Sequence, residues 1–548
     1  MKLTLNGEAL DLLPGATVRD ALHAFDADAP GVLAAMLDHH VVELNDVLPA
    51  GGVLRPLTLR EEEGRRIYER SLRFVLLLAV EHLMPGQQVR IEYSVGRGVF
   101  LRLPGQAASP QTAAALRERM ARLSAADLPF EKRTWSLGEA VRYFEQTGQQ
   151  DKVKLLQYRT VPYFNMYGCG GMWEYFYGAM AASTGAVRVF DLVPYADGFV
   201  LQMPAPEAPG VPAPYVDRPK HLSVFRQSAN WCDILGVVNA ADLAELLDKK
   251  EMRFFIRVNE ALHEQAIGAI ARDIVFRKRR VVLVAGPSSS GKTTFAGRLA
   301  VQLRVLGRRS HRVSLDDYYL DRDAIPREPD GSLDLESIHT LDLPLLQRQV
   351  RALMAGEEVE IPRFSFQTGR RCDTGEPLRL GEDEIVIIEG IHGLNPMLSE
   401  GMPAEDIYRI FVSALTCINL DDHNRIRTTD VRLLRRLVRD QLFRGTPPEQ
   451  TLAMWPSVRR GEETWIFPYQ EMADSMFNTA LHYELPILRH FAYPYLCRVK
   501  PEDPGYLLAS HLRKTLNYLP DIDEALLSEI PPLSLLREFI GGCTIDCV

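Results

Sequence analysis

The sequence predicts a multidomain α/β protein whose C-terminal half is a nucleotide-binding fold with a parallel sheet. Three observations carry this. The chain has 548 residues, too many for one hydrophobic core. The Val-rich run Val281–Ala285 has the continuous apolar character of a strand buried on both faces. That run passes directly into Gly286-Pro287-Ser288-Ser289-Ser290-Gly291-Lys292-Thr293-Thr294, which fits G-x-x-x-x-G-K-[ST], a phosphate-binding loop.

Each residue type in the loop has a physical task. Gly286 and Gly291 permit torsions that let successive N–H groups point at phosphate oxygens. Ser288, Ser289, Ser290, Gly291, Lys292, Thr293 and Thr294 would line the anion, at the positive end of the helix that starts there. Lys292 adds a mobile charge at the outer phosphates, and Thr293 a hydroxyl for Mg²⁺. The implied cofactors are ATP and Mg²⁺. An apolar pattern, Phe295, Leu299, Val301 and Leu303, marks the helix behind the loop.

Composition excludes several classes. The net charge is −9, so nothing global points to DNA or a membrane surface. The longest apolar stretch, 74–80, is too short to cross a bilayer. Seven scattered cysteines and no secretory signal predict reduced thiols in the cytoplasm. Cys543 and Cys547, four apart, read as a frayed tail rather than a metal site.

In chain order, residues 1–60 read as a small β-rich unit. Asn6-Gly7 marks a type I′ hairpin turn, and Thr17 with Asp20 a helix cap. Strands are expected near 32–37 and 41–44. A helical pattern begins at 61–68. Prolines 204, 206, 209, 212 and 214 predict an extended linker or a domain edge. Leu262, Ala266, Ile270 and Ile274 predict one helix stripe leading to the loop. A second strand, 311–315, ends in Asp316-Asp317-Tyr318-Tyr319; a third, 385–388, ends in Glu389-Gly390-Ile391. Carboxylates at the C-terminal ends of parallel strands sit at the ligand edge, although each alone also fits a solvated strand end. Arg432, Arg435, Arg436 and Arg439 fall at i, i+3, i+4, i+7, opposite Val431, Leu434, Val438 and Leu442. Such a face, with Arg444 after it, predicts a lid closing on phosphates; a solvated salt-bridged face is the alternative.

Two resemblances add to this reading. Residues 1 to about 205, including Gly178-Ala179-Met180-Ala181-Ala182-Ser183-Thr184-Gly185, resemble the N-terminal region of threonyl-tRNA synthetases: a β-grasp TGS domain, then an α+β editing domain. That family's four metal ligands fall on Arg70, Phe74, Phe176 and Met180, none of them a zinc ligand here. The resemblance therefore implies an editing fold without editing chemistry. Packing against the C-terminal half is the favoured role, and RNA or small-ligand binding the alternative. The aromatic cluster Tyr163, Phe164, Tyr167, Trp173, Tyr175, Phe176 and Tyr177 reads as core, because no basic residue interleaves it.

The motifs G-x-x-x-S-G-K-T-T, D-x-Y-Y, E-G-I and Arg435-Arg436-Leu437-Val438-Arg439-Asp440 resemble, in that order, the uridine kinase and phosphoribulokinase family. With the N-terminal units, the chain is similar to bacterial nucleoside kinases that carry a TGS domain. The resemblance implies Asp316 as catalytic base, and Thr293, Asp316 and Glu389 around Mg²⁺. It places Lys292, Arg439 and Arg444 on the transferring phosphate. It places Asp316, Tyr319, Phe364, Arg371 and Arg435 on the acceptor. In the run 362–371, Phe364 replaces the family's Tyr and Gly369 its His, which predicts altered base selectivity; Gln367 or Arg370 are candidate replacement readers. The expected division is 1–60 TGS-like, 61–205 editing-like, 206–279 linker and helices, 280–500 kinase, and 501–548 a helical appendage. The expected activity is ATP-dependent phosphorylation of a nucleoside 5′-hydroxyl, in a homo-oligomer. Alternatives are a kinase of another small alcohol, or an ATP-binding regulator with an RNA-sensing N-terminal half.

Overall fold

The computed structural model describes residues 2–49, 51–159, 162–325, 334–365 and 367–545. Its first sheet holds β1 (Lys2–Leu5), β2 (Glu8–Asp11), β3 (Ala34–Leu37), β4 (His40–Glu43) and β5 (Gly52–Leu57), in the order β2-β1-β5-β3-β4. Asn6 and Gly7 both take positive φ, +50° and +87°, which turns β1 back onto β2. The helix α1 (Val18–Ala24) starts at Thr17, whose hydroxyl and amide exchange hydrogen bonds with Asp20. It buries Val18, Ala21 and Leu22 against Leu3 and Leu5.

Next come α2 (Glu62–Leu83), β6 (Arg90–Val95), β7 (Gly98–Arg102), α3 (Pro110–Ala125), β8 (Glu131–Ser136), α4 (Leu137–Gln146), α5 (Gln150–Gln157), β9 (Tyr163–Cys169), β10 (Met172–Glu174), β11 (Asp191–Tyr195) and β12 (Gly198–Gln202). They form sheets β11-β12-β7-β6 and β10-β9-β8. The helix α2 is buried all round from Arg66 to Val80, charged residues included. Three of those charges are matched from the C-terminal half: Arg66 by Asp430, Glu69 by Arg425 and Arg427, and Arg73 by the His423 carbonyl. Arg70, Phe74, Phe176 and Met180 also meet in this core, with the Phe74 and Phe176 rings 5.5 Å apart.

The proline-rich stretch is not an extended linker. It folds into a hairpin of β13 (Pro204–Ala205) and β14 (Ala208–Pro212), paired antiparallel. Then follow α6 (Pro219–Leu235), α7 (Ala240–Asp248) and α8 (Met252–Phe276). On α8 the buried positions include Ile256, Ile267, Ile270, Ala271 and Ile274, while Leu262 and Ala266 are only half-buried. A strict four-residue repeat drifts around a helix of 3.6 residues per turn, so the expected stripe leaves the core face.

The C-terminal half is built on β15 (Val281–Ala285), α9 (Lys292–Val305), β16 (Ser310–Ser314), α10 (Leu343–Met354), β17 (Glu358–Ile361), β18 (Phe364–Ser365), β19 (Arg370–Arg371), β20 (Glu376–Arg379), β21 (Ile385–Glu389), β22 (Ile407–Ser413), α11 (Thr428–Phe443), α12 (Pro448–Trp465), β23 (Ser475–Asn478) and α13 (Glu484–Leu496). Its five-stranded sheet, β16-β21-β15-β22-β23, is parallel throughout, with β15 central. On α9, Phe295, Leu299 and Leu303 are buried, but Val301 is 48% exposed and lies off the stripe.

The tail contributes α14 (Tyr506–Leu516), α15 (Glu524–Leu527) and α16 (Arg537–Ile540). It is helical, but it is no loose appendage. Leu535, Leu536 and Phe539 are fully buried, and Leu536 and Phe539 share one cluster with Leu434 and Val438 of α11. Cys547 lies outside the described residues. Among the described residues no helix is long and apolar enough to cross a membrane.

Candidate phosphoryl-transfer site

The C-terminal ends of β15, β16 and β21 bring the loop, Asp316 and Glu389 to one edge of the sheet. The sequence between β15 and α9 has little freedom. A side chain at Gly286 would meet the Val412 carbonyl oxygen at 2.0 Å, and Gly291 sits at φ +83°. The Thr479 hydroxyl fixes the loop from outside by donating to the Ser290 carbonyl at 2.6 Å.

Lys292 Nζ donates to the Pro287 carbonyl at 3.2 Å. Thr293 Oγ1 donates to Glu389 at 3.2 Å, and Ser314 Oγ reaches the same carboxylate at 3.4 Å. Burial raises the Glu389 carboxyl to about 7 against the pull of Lys292, and Asp316 and Glu538 push the same way. The Asp316 carboxylate opens to the cleft, yet protein mass around it raises its pKa, opposed by Lys292, Arg444 and Arg439. Asp317 points elsewhere: it accepts the Phe364 N–H at 3.2 Å.

The donor set fits a nucleotide. Ser289 Oγ and Ser290 Oγ are buried without a hydrogen-bond partner, at the start of α9. Buried hydroxyls left in this way call for an acceptor, which phosphate oxygens supply. Thr293, Asp316 and Glu389 offer a hydroxyl and two carboxylates. That all-oxygen set suits Mg²⁺, which keeps waters and phosphates as its other ligands.

The arginine helix is organised differently from the expected lid. Arg435 is fully buried, bound to Glu484 at 2.6 Å and to the Thr479 carbonyl at 2.8 Å. It holds α11 to the start of α13 and does not reach an acceptor. Arg432 is equally buried; it donates to the Ser288 carbonyl at 3.0 Å and pairs with Glu462. Only Arg436, Arg439 and Arg444 remain at the cleft. All three are gathered by one buried carboxylate, Asp440, at 3.3, 3.1 and 3.8 Å. Arg436 also donates to Ser288 Oγ at 2.9 Å. Helical spacing put the four arginines on one face, but the core of this half wraps around that face and consumes two of them.

Arg371 likewise leaves the acceptor set. Its guanidinium donates to the Tyr318 and Tyr319 carbonyls, both at 3.2 Å, and to Asp342 at 3.0 Å. It braces the turn that carries Asp316. Tyr319 and Phe364 stay at the site, ring centroids 5.6 Å apart. Gly369 takes φ +69° beside Arg322, and Arg370 pairs with Asp323 at 3.3 Å. Phe366 lies outside the described residues.

Three acids at the site carried no motif. Glu462, fully buried, accepts the Ser288 N–H at 3.1 Å while holding Arg432 and Arg459. Glu538, from the tail, accepts from Thr294 Oγ1 at 2.8 Å and Thr294 N–H at 3.3 Å, where a helix start favours an anion. Glu336 faces Arg436 and Lys292, and burial pushes it up to about 7. They come from a helix, a tail and a loop distant in sequence, so no local spacing marks them.

A loop of this type at the edge of a parallel sheet, with acids on the adjoining strands, defines a P-loop kinase domain. Residues 281–484 match the phosphoribulokinase / uridine kinase family. Over 195 residues the chain is 28% identical to the uridine kinase of Lactobacillus helveticus, covering 35% of this chain and 83% of that one. It is 29% identical over 199 residues to the uridine kinase of Chloroflexus aurantiacus, covering 85% of that protein. The N-terminal part is similar to threonine–tRNA ligase of Nitratidesulfovibrio vulgaris, 26% identical over 203 residues. That match takes in 36% of this chain and 32% of the ligase's length. The C-terminal part is thus a phosphotransferase domain of the uridine kinase and phosphoribulokinase family.

Proposed function

We propose that this protein transfers the γ-phosphate of ATP to the 5′-hydroxyl of a nucleoside. The convergence of Lys292, Thr293, Asp316 and Glu389 on one sheet edge carries the reading. Bound ATP with Mg²⁺ supplies the phosphoryl group and neutralises much of its charge. The loop N–H groups and Lys292 hold the phosphates, with Thr293, Asp316 and Glu389 at the metal. Asp316 accepts the acceptor's hydroxyl proton. Asp440 holds Arg436, Arg439 and Arg444 in place to receive charge on the transferring group.

Nucleoside as acceptor is supported by the motifs shared with uridine kinases. Phe364 with Tyr319 offers a stacking surface, while Gly369 gives no side-chain donor. An apolar pocket discriminates only ~10–200-fold, against ~10⁴-fold or more for one that hydrogen-bonds its substrate. Base selectivity is therefore broad or shifted from uridine. Within this reading, residues 1–60 are TGS-like, 61–205 an editing-like domain without its metal ligands, 206–279 the connection and 280–500 the kinase, in a cytoplasmic homo-oligomer.

The test is ATP- and Mg²⁺-dependent ADP release with uridine, cytidine, adenosine, guanosine and inosine, for the parent chain and Lys292→Ala. Acceptor-dependent release that Lys292→Ala abolishes is expected. Release from no nucleoside overturns the acceptor assignment. A pyrimidine preference of roughly a thousandfold refutes the apolar-pocket argument.

A further inference from the structure

The tail reaches the phosphate loop where a nucleotide has to go. The helix α9 opens with Lys292, Thr293 and Thr294, and the N–H groups of a first helical turn have no partner within the helix. In a loop of this type those groups face the inner phosphates, while the lysine serves the outer ones. Just upstream, the Ser289 and Ser290 hydroxyls are buried without a hydrogen-bond partner. At Thr294 the place is already filled. One oxygen of Glu538 accepts from both the Thr294 N–H, at 3.3 Å, and the Thr294 hydroxyl, at 2.8 Å.

Packing delivers this carboxylate. Glu538 lies on α16 between two fully buried apolar residues, Leu535 and Phe539. Leu535 sits against the loop, 3.7 Å from where a Gly291 side chain would begin, and the Phe539 ring centre is 5.0 Å from the Arg435 guanidinium. Arg537 ties the same turn to the Leu527 and Ile530 carbonyls, each at 2.7 Å. After α16 the chain turns at Gly541 and Gly542, both at positive φ, +91° and +77°. It comes back to α9, where Ile545 covers Gly297 so closely that any side chain there would collide with it. The tail thus lies along the start of α9 from Gly291 to Gly297, with one acid at the positive end of the helix.

A carboxylate and a phosphate are both acceptors, with no proton between them to share. They cannot take the Thr294 N–H together, and at that distance their charges repel. Glu538 itself is only half-buried, so its side chain can turn to solvent while Leu535 and Phe539 stay in the core.

We propose that Glu538 is a built-in occupant of the nucleotide site: an autoinhibitory contact that stands in for an inner phosphate and leaves Thr294 when a nucleoside triphosphate binds. This rests on the reading of the loop as the ATP site, and the test separates the two. ATP with Mg²⁺ is titrated calorimetrically into the full chain, as parent, Glu538→Gln, Glu538→Ala and Lys292→Ala, with thermal midpoints as the check on folding. A site blocked in part of the population binds its ligand more weakly by that fraction. Glu538→Gln and Glu538→Ala should therefore bind ATP about tenfold more tightly than the parent, since the charge-assisted pair on Thr294 is gone. A brace that merely supported the loop would act in the opposite direction and weaken ATP. A crystal structure of the parent with ADP should show the Thr294 N–H on a phosphate oxygen and Glu538 turned away. Should the variants not fold, that complex decides alone. Unchanged or weaker ATP binding in folded Glu538→Gln and Glu538→Ala, or an ADP complex in which Glu538 still holds the Thr294 N–H, overturns the proposal. No ATP binding by the parent and the Glu538 variants alike refutes the ATP site itself, and the proposal with it.

Discussion

Glu462→Gln tests whether the phosphate loop is held by a buried ion pair. Glu462 and Arg432 are both almost fully excluded from solvent, and Glu462 also binds the Ser288 N–H and Arg459. The substitution keeps shape and one acceptor oxygen but removes the charge. Two unit charges at contact attract by about 4 kcal/mol at an effective dielectric constant near 20. Removing one partner of a buried pair typically costs about 3–5 kcal/mol, since the other stays buried and uncompensated. The retained acceptor and relief of Glu462's own desolvation put the expected loss near ~3 kcal/mol. For a unit of this size that lowers the kinase half's thermal midpoint by roughly 6–12 °C. Calorimetric melting of the parent, Glu462→Gln, Arg432→Met and the double variant measures it. The double variant should cost clearly less than the sum of the two single ones. A Glu462→Gln midpoint unchanged within error, or strict additivity, refutes the reasoning.

Three further outcomes are expected. Asp316→Asn should lower kcat by about 10²–10⁴-fold while ATP binding persists; a larger loss in Asp317→Asn would move the base by one residue. Arg435→Met should lower thermal stability by about 3 kcal/mol and leave the acceptor KM of the folded enzyme unchanged, because its partner is Glu484 rather than substrate; a selective rise in acceptor KM would return Arg435 to the site. At Glu174, burial pushes the carboxyl up, but Lys152 at 3.2 Å and His423 at 2.6 Å outweigh it and hold its pKa at about 2. A depressed carboxylate stabilises the fold above its unfolded pKa of about 4.5. That stability, on the order of 3 kcal/mol, is lost as pH falls from there towards 2. Melting midpoints from pH 6 to about 3 should therefore fall less steeply in Glu174→Gln than in the parent, and parallel curves would show that this pair does not drive acid unfolding.

The sequence by itself determined the local elements. A Val-rich run, two glycines and a Lys-Thr pair dictate strand, loop and helix start, because those torsions and that apolar run have few other solutions. Asn6-Gly7 and Thr17 with Asp20 fix their turn and cap for the same reason: donor and acceptor lie within three residues. Helical spacing put Arg432, Arg435, Arg436 and Arg439 on one face. Only the tertiary structure decided which of them meet solvent. Glu484 and Glu462, 49 and 30 positions away, draw Arg435 and Arg432 into the core, since a buried guanidinium must be paired. The same holds for the tail, where Glu538 reaches Thr294 across 244 positions. Charge pairing depends on which surfaces the fold brings together, and no periodicity along the chain encodes that.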